Sequence, residues 1–173
     1  HWSGTLLNGL LALDPRSKSL PRAGIVHRLD KDTSGLMMVA RTRPTMDALV
    51  SAIAARTVKR EYLAVVQGQW RHADGFTING SIGRDPANRL RMAVLDEQKH
   101  AAKAAVTHVR CLLQGESHAL LHCQLETGRT HQIRVHLAHH GFALVGDALY
   151  GGKPTHDMRR QALHAWRLSF NHP

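Results

Sequence analysis

The sequence predicts an α+β domain: a mixed, mostly antiparallel sheet with flanking helices. Three observations predict it. Short apolar or alternating segments bounded by turn residues recur along the chain, only a few segments carry the three-to-four spacing of a helix, and the two kinds do not alternate in a βαβ rhythm. At 173 residues and 43% hydrophobic the chain can enclose one core, so a single domain over 1–173 is expected.

The elements follow in order. Residues 5–13 place Leu6, Leu7, Leu10, Leu11 and Leu13 in a helical stripe that Asp14-Pro15 ends. Residues 21–31 read as a loop around Ile25-Val26. Gly35 then opens the apolar run Leu36-Met37-Met38-Val39-Ala40, which predicts a buried strand. Thr42-Arg43-Pro44 marks a helix start, and Met46, Leu49, Val50 and Ile53 follow at helical spacing. Residues 58–67 return to strand, with Tyr62 inside it. Turn signals (Asn79-Gly80, Gly83, Asp85-Pro86) divide residues 75–94 into short β pieces. Residues 104–113 and 118–125 predict a hairpin around Gln114-Gly115-Glu116, and Thr127-Gly128-Arg129-Thr130 predicts a turn capping a helix that runs to Ala138 and stops at Gly141.

Lysine and arginine total 23 against 13 acidic residues, a formal net charge of +10. Such an excess suits a polyanion, because Lys and Arg displace counterions condensed on a phosphate backbone, and it disfavours a small neutral substrate. Arg56, Lys59, Arg84 and Arg89 are candidates for phosphate contacts, with binding that weakens steeply in salt. No apolar run nears the roughly 20 residues of a membrane span, and no signal peptide opens the chain, so no membrane partner is expected. Cys111 and Cys123 sit in apolar segments without a C-x-x-C, which fits a reducing, cytoplasmic setting. The first residue is His1 and the chain stops at Pro173 just after Leu168-Ser169-Phe170; both ends read as cut from a longer protein.

Four motifs carry candidate chemistry. His27-Arg28-Leu29-Asp30-Lys31-Asp32-Thr33-Ser34-Gly35 places a charged turn directly before an apolar run, so Asp30 falls at the edge of the core. Taken alone, Asp and Thr before Gly also suit an ordinary Asx-type turn. In Leu125-Glu126-Thr127-Gly128-Arg129-Thr130-His131-Gln132-Ile133-Arg134-Val135-His136, Ile133 and Leu137 would share an inward helix face, with Arg134 in the first turns. Arg60-Glu61-Tyr62 lies in a strand, where a tyrosine is usually core, and Gly146-Asp147-Ala148-Leu149-Tyr150-Gly151 reads by itself as a turn. The histidines His131, His136, His139 and His140 could suggest a metal, but no acidic base sits between them as in H-E-x-x-H, so no metal is expected.

Together and in this order the motifs are specific. The chain resembles the RNA pseudouridine synthase family typified by the large-subunit ribosomal RNA enzymes, on H-R-L-D-x-x-T-S-G, the Arg-x-Tyr strand, L-E-T-G-R-T-H-Q-I-R-V-H, G-D-x-x-Y-G and Leu163-His164-Ala165. The likeness runs from about Gly4 to Pro173, and residues 21–38 look nearest to the synthase D type, which modifies a large-subunit hairpin. Family members have an earlier strand before the position of His1 and a last strand after His-Pro, and many carry an amino-terminal S4-type RNA-binding domain.

The resemblance implies the pseudouridine synthase catalytic fold and an isomerisation that breaks the uridine N1–C1′ bond, turns the uracil and joins C5 to C1′. No cofactor is needed: no redox partner, nucleotide energy or metal. It implies Asp30 as the carboxylate nucleophile or base, paired with Arg134, since a cation favours a charged carboxylate in an apolar pocket. Tyr62 would face the uracil and Leu36 would supply part of a dry wall. Arg28 would fill the gap left by an extruded uridine, and His27, Arg129 and His131 would contact substrate. The expected partner is RNA, foremost a hairpin of large-subunit ribosomal RNA, bound by a monomer. Transfer RNA, or a non-catalytic basic RNA-binding module, are the alternatives.

Overall fold

A computed structural model describes residues 4–72, 75–155 and 157–173; the reading that rests on His1 lies outside the described residues. Helix α1 (Leu6–Leu13) starts behind Thr5, whose hydroxyl accepts from the Asn8 N–H while the Asn8 side chain accepts from the Thr5 N–H. Its leucine stripe buries nothing: no residue of α1 is buried, and Leu6, Leu7 and Leu13 are exposed. Two 3-10 turns, Pro15–Ser19 and Pro21–Gly24, lead to the loop that carries Asp30. Helix α2 (Arg43–Ala54) is capped by Thr42, with a proline in the first turn, and buries Met46 and Leu49. Helix α3 (Gln132–His139) is buried along most of its length.

The strands are β1 (Ser34–Gly35), β2 (Lys59–Gln67), β3 (Phe76–Asn79), β4 (Ile82–Arg84), β5 (Met92–Val94), β6 (Ala102–Lys103), β7 (Val106–Gln114), β8 (His118–Leu125) and β9 (Leu163–Ser169). Six form one sheet in the order β1-β9-β2-β8-β7-β3, antiparallel at every pairing except β1 with β9; β5-β4-β6 form a small second sheet. The fold is α+β, as the motif pattern predicts. The hairpin β7–β8 and the central strand β2 fall where the alternation places them. The inward parity of β2 (Tyr62, Ala64, Val66) meets Leu121, Cys123, Ile133, Leu137 and Leu144 in the main core, where each buried aliphatic side chain contributes about 1.5–3 kcal/mol. A smaller cluster gathers Leu20, Met38, Met46, Leu49 and Val58.

One element departs from expectation. The run 36–40 is not a strand: only Ser34–Gly35 pairs in the sheet, and Val39 makes a single bridge to Ile25. The reason is where the backbone donors go. Leu36 N–H donates to the Ala165 carbonyl, Met38 N–H to His27 Nε2 at 2.8 Å and Ala40 N–H to the Gly24 carbonyl. Three different acceptors take three alternate donors, so no partner strand can run alongside. Gly35 (φ 110°) is needed at the start of this path, because a β-carbon there would collide with the Ala165 carbonyl.

Four histidines face desolvation. Burial lowers the pKa of His27 (helped by the Arg60 charge), of His131, of His136 and of His140 from the ordinary value. Their unfolded pKa is about 6.5, so as pH falls through that value the unfolded chain takes up protons before the fold does. Stability present above pH 6.5 is therefore lost on acidification. The melting temperature of the full-length protein is expected to fall by a few degrees or more between pH 7.5 and 5. His27→Gln, which keeps an acceptor for Met38 N–H without titrating there, should shrink that slope. A melting temperature that rises over the same interval would show these rings charged in the fold.

Candidate active site

A cavity of ≈ 230 Å³ opens between the Asp30 loop, the amino-terminal half of β2, the end of β8 and the start of α3. It is smaller than the roughly 300–1,000 Å³ of pockets for drug-sized ligands, a size that suits one planar ring. Val26, Leu29, Leu125, Ile133 and Leu163 give it apolar walls; His27, Arg28, Asp30, Arg60, Tyr62 and Arg129 supply its polar groups.

Asp30 heads a tight turn. Thr33 N–H donates to the Asp30 carbonyl, and Asp32 takes the left-handed conformation (φ 69°), which a short polar side chain tolerates. The turn is tied from the far end of the chain: the Gln161 amide donates to the Lys31 carbonyl at 2.6 Å, and Arg160 Nη1 donates to the Asp32 carbonyl at 3.1 Å. The Asp30 side chain is left 16% exposed at the cavity.

Arg134 reaches Asp30 from α3, but not as a bidentate partner. Its Nη1 lies 3.6 Å from Asp30 Oδ2, while Nε and Nη2 donate to the two oxygens of Asp147 at 2.7 and 2.8 Å. Asp147, with a side chain 1% exposed, thus fixes the guanidinium plane and leaves one edge turned toward Asp30. The Tyr150 ring closes the other side, 4.9 Å from Arg134 Cζ. Tyr150 Oη accepts from Met92 N–H at 2.9 Å and meets His131 Nδ1 at 2.8 Å. Asp147 and Tyr150 belong to the G-D-x-x-Y-G motif, which by itself reads as a turn and gave neither residue a role. The available signal was a carboxylate embedded in Leu144-Val145-Gly146-Asp147, too apolar a context for a solvated loop.

The other expected residues distribute as follows. Tyr62 is 6% exposed, lines the cavity, and has its hydroxyl pKa raised by burial. His27 lines the cavity, but its Nε2 is occupied as acceptor for Met38 N–H, so it also pins the loop. Arg28 is exposed at the cavity rim, and Arg129 lines the cavity with Nε donating to the Ala104 carbonyl at 3.0 Å. His131 sits just before α3 in the left-handed conformation (φ 57°), among the charges of Asp30, Arg134 and Asp147. Leu36 is not brought to the site. It is 49% exposed and lines a separate apolar groove with Met37, Leu49 and Leu168, because the chain leaves the sheet at Gly35. The apolar lining of the cavity comes instead from residues such as the five aliphatic ones named above.

A buried polar network holds α3 in place. Gln132 Nε2 donates to the Val106 carbonyl and to Thr107 Oγ1, and its Oε1 accepts from Arg129 N–H and Thr127 Oγ1. Thr107 Oγ1 lies 2.9 Å from His136 Nδ1, and His136 Nε2 lies 3.0 Å from the Gly80 carbonyl. Both ring nitrogens of His136 are thereby used. Among the described residues no group of three or more His, Cys, Asp or Glu side chains is placed to hold a metal ion.

Residues 5–139 match the family model described as RNA pseudouridylate synthase. "Ribosomal large subunit pseudouridine synthase D" of Neisseria meningitidis is 52% identical over 185 residues, spanning 100% of this chain and 48% of that protein. The protein of the same name from Pseudomonas aeruginosa is 47% identical over 186 residues, spanning 100% of this chain and 56% of that one. Among solved structures, "Human RNA Pseudouridylate Synthase Domain Containing 1" superposes with a TM-score of 0.71 at 29% identity, over 83% of this chain and 62% of that chain. The chain spans about half the length of the curated relatives it matches. With the family match covering most of its length and the expected fold in place, the chain belongs to the RNA pseudouridylate synthase family.

Proposed function

We propose that the full-length protein converts uridine to pseudouridine in large-subunit ribosomal RNA, with Asp30 as the carboxylate that acts on the ribose. The observation that supports this most is a single arrangement. A carboxylate at the mouth of a small apolar cavity faces a tyrosine across it and is backed by an arginine whose plane is fixed by a second, buried carboxylate.

The reaction cleaves N1–C1′, rotates the freed uracil and forms C5–C1′; C5 loses a proton and N1 ends with one, so the product is an isomer. Asp30 acts either by attack at C1′ or by opening a glycal route, and both need the carboxylate beside the sugar. The cavity walls keep water from an activated C1′, which water would otherwise trap as an abasic site. Tyr62 lines the same cavity and would stack on the uracil, while burial keeps its hydroxyl protonated, a hydrogen-bond donor to the base rather than the group that removes the C5 proton. The target must leave its helical stack to enter, and Arg28 at the rim can occupy the vacated space.

The relatives' names direct the substrate reading to ribosomal RNA, and the net charge of +10 suits any RNA. In that setting the protein works in the cytoplasm. The test offers the full-length enzyme large-subunit RNA and transfer RNA separately and maps product with a pseudouridine-specific reagent. Modification confined to a large-subunit hairpin is expected, with binding that falls steeply between about 50 and 200 mM salt. Modification of transfer RNA alone would remove the ribosomal assignment; tight binding with no product in either RNA would favour a non-catalytic binding module.

A further inference from the structure

Arg60 occupies a position that the alternation of β2 reserves for the core. It shares its parity with Tyr62, Ala64 and Val66, and it is 8% exposed. A buried guanidinium is normally paired, because an uncompensated charge there is costly. Among the described residues Arg60 has no salt-bridge partner, and its Nε has no hydrogen-bond partner at all. The nearby carboxylates are committed elsewhere: Glu126 to Arg56 and His108, Asp30 to Arg134. Burial lowers the Arg60 pKa from the usual guanidinium value, as expected for a cation without a counter-charge.

The fold nonetheless leaves room for the guanidinium. It lies against Gly128, where any β-carbon would strike Nη1, so a glycine at that turn is what leaves room for it. From there Arg60 lines two openings at once: the Asp30–Tyr62 cavity, and an adjoining groove shared with Arg56, Gly128 and Arg129. The groove holds three arginines against the single Glu126 carboxylate, which already meets Arg56, so a cation that lines both it and the cavity is placed for an anion attached to whatever fills the cavity.

We propose that Arg60 binds a backbone phosphate flanking the target uridine, so that the missing counter-charge of the free protein is supplied by the RNA. This rests on the function proposed above. Arg60 would be a binding and positioning residue: the phosphate sets how far the ribose enters, and hence where C1′ stands relative to Asp30.

The test uses the full-length enzyme and a short hairpin RNA in which the phosphate on the 5′ or the 3′ side of the target uridine is replaced, one at a time, by an uncharged methylphosphonate. For the wild-type protein one replacement is expected to weaken binding and raise KM by roughly ten- to hundred-fold, the range for a charge-assisted contact. Arg60→Met should bind unmodified RNA weaker by a similar factor, show a salt slope smaller by about 0.7, and lose no further affinity with the methylphosphonate. Its melting temperature should not fall, since an unpaired buried charge has been removed; Arg60→Lys should recover part of the affinity. Gly128→Ala, which displaces the guanidinium without removing it, gives the same reading should Arg60→Met fail to fold. Equal sensitivity to the methylphosphonate in wild-type and variant, or no sensitivity at either position in the wild type, would overturn the proposal. A wild-type enzyme that binds the hairpin but makes no pseudouridine would remove the proposed function, while the binding comparison would still decide the role of Arg60.

Discussion

Replacing Asp30 with asparagine is expected to abolish isomerisation, by on the order of 10⁴-fold or more, while RNA affinity stays within a few-fold. The size of the effect follows from the role: an amide can neither attack C1′ nor accept a proton there. The geometry makes the variant a clean one. Arg134 does not depend on Asp30 for its position, because two of its nitrogens are held by Asp147 and only Nη1, at 3.6 Å, faces Asp30. The turn itself is held through the Asp30, Lys31 and Asp32 carbonyls, which the substitution leaves intact. Release of tritium from C5-labelled uridine RNA measures turnover directly. Appreciable release from well-folded Asp30→Asn protein would withdraw the assignment.

The second large effect is expected at Asp147. Asp147→Ala leaves the Arg134 guanidinium buried without its main partner, and Arg134→Ala leaves a carboxylate 1% exposed without any cation. Breaking a buried pair from one side costs about 3–5 kcal/mol, which for a domain of this size lowers the melting temperature by roughly 6–20 °C. Turnover should fall sharply in both variants. Arg134→Lys should restore it only in part, because a point charge cannot hold two carboxylate oxygens and still present an edge to Asp30. Replacing both members with apolar residues should cost less stability than either single change, yet leave activity just as low. Thermal melts and the tritium assay on the four proteins check this. Asp147→Ala protein with normal melting and normal turnover would show that Arg134 is oriented by something else.

How much of this was legible in the sequence depended on whether a segment's hydrogen bonds are local. The hairpin β7–β8, strand β2 and helix α2 form where their spacing places them, though the β7–β8 register shifts between Cys111 and Leu113 and Val50 of the α2 stripe is exposed. Residues 36–40 look equally apolar, but their alternate N–H groups are taken by Ala165, His27 and Gly24, acceptors that no window along the chain can foresee. In α1 the helix was readable and its burial was not, since a stripe of leucines does not say what it will meet. The site divides the same way. Asp30, Tyr62 and Arg134 were indicated by motif order and lie around one cavity or against it. Leu36 was misplaced together with its strand. Asp147 was noticed as part of a motif but given no role, because a glycine-flanked aspartate has the composition of a turn whether it faces water or a buried arginine. Arg60 did carry a sign, a cation on the core parity of a strand, visible once its register against β8 is known.

The ties between the Asp30 turn and residues 160–165 also set a clock. Gln161 grips the Lys31 carbonyl across 130 positions of sequence, and β1 has no partner until β9 exists. During synthesis at about 5–20 residues per second, the Asp30 segment therefore leaves the ribosome roughly 6–26 seconds before the residues that shape it. Throughout that interval the nascent chain carries the carboxylate without the ties that fix its turn. Such long-range closure slows folding, and it makes the assembled site a late event, one that reports that nearly all of the sheet is already in place.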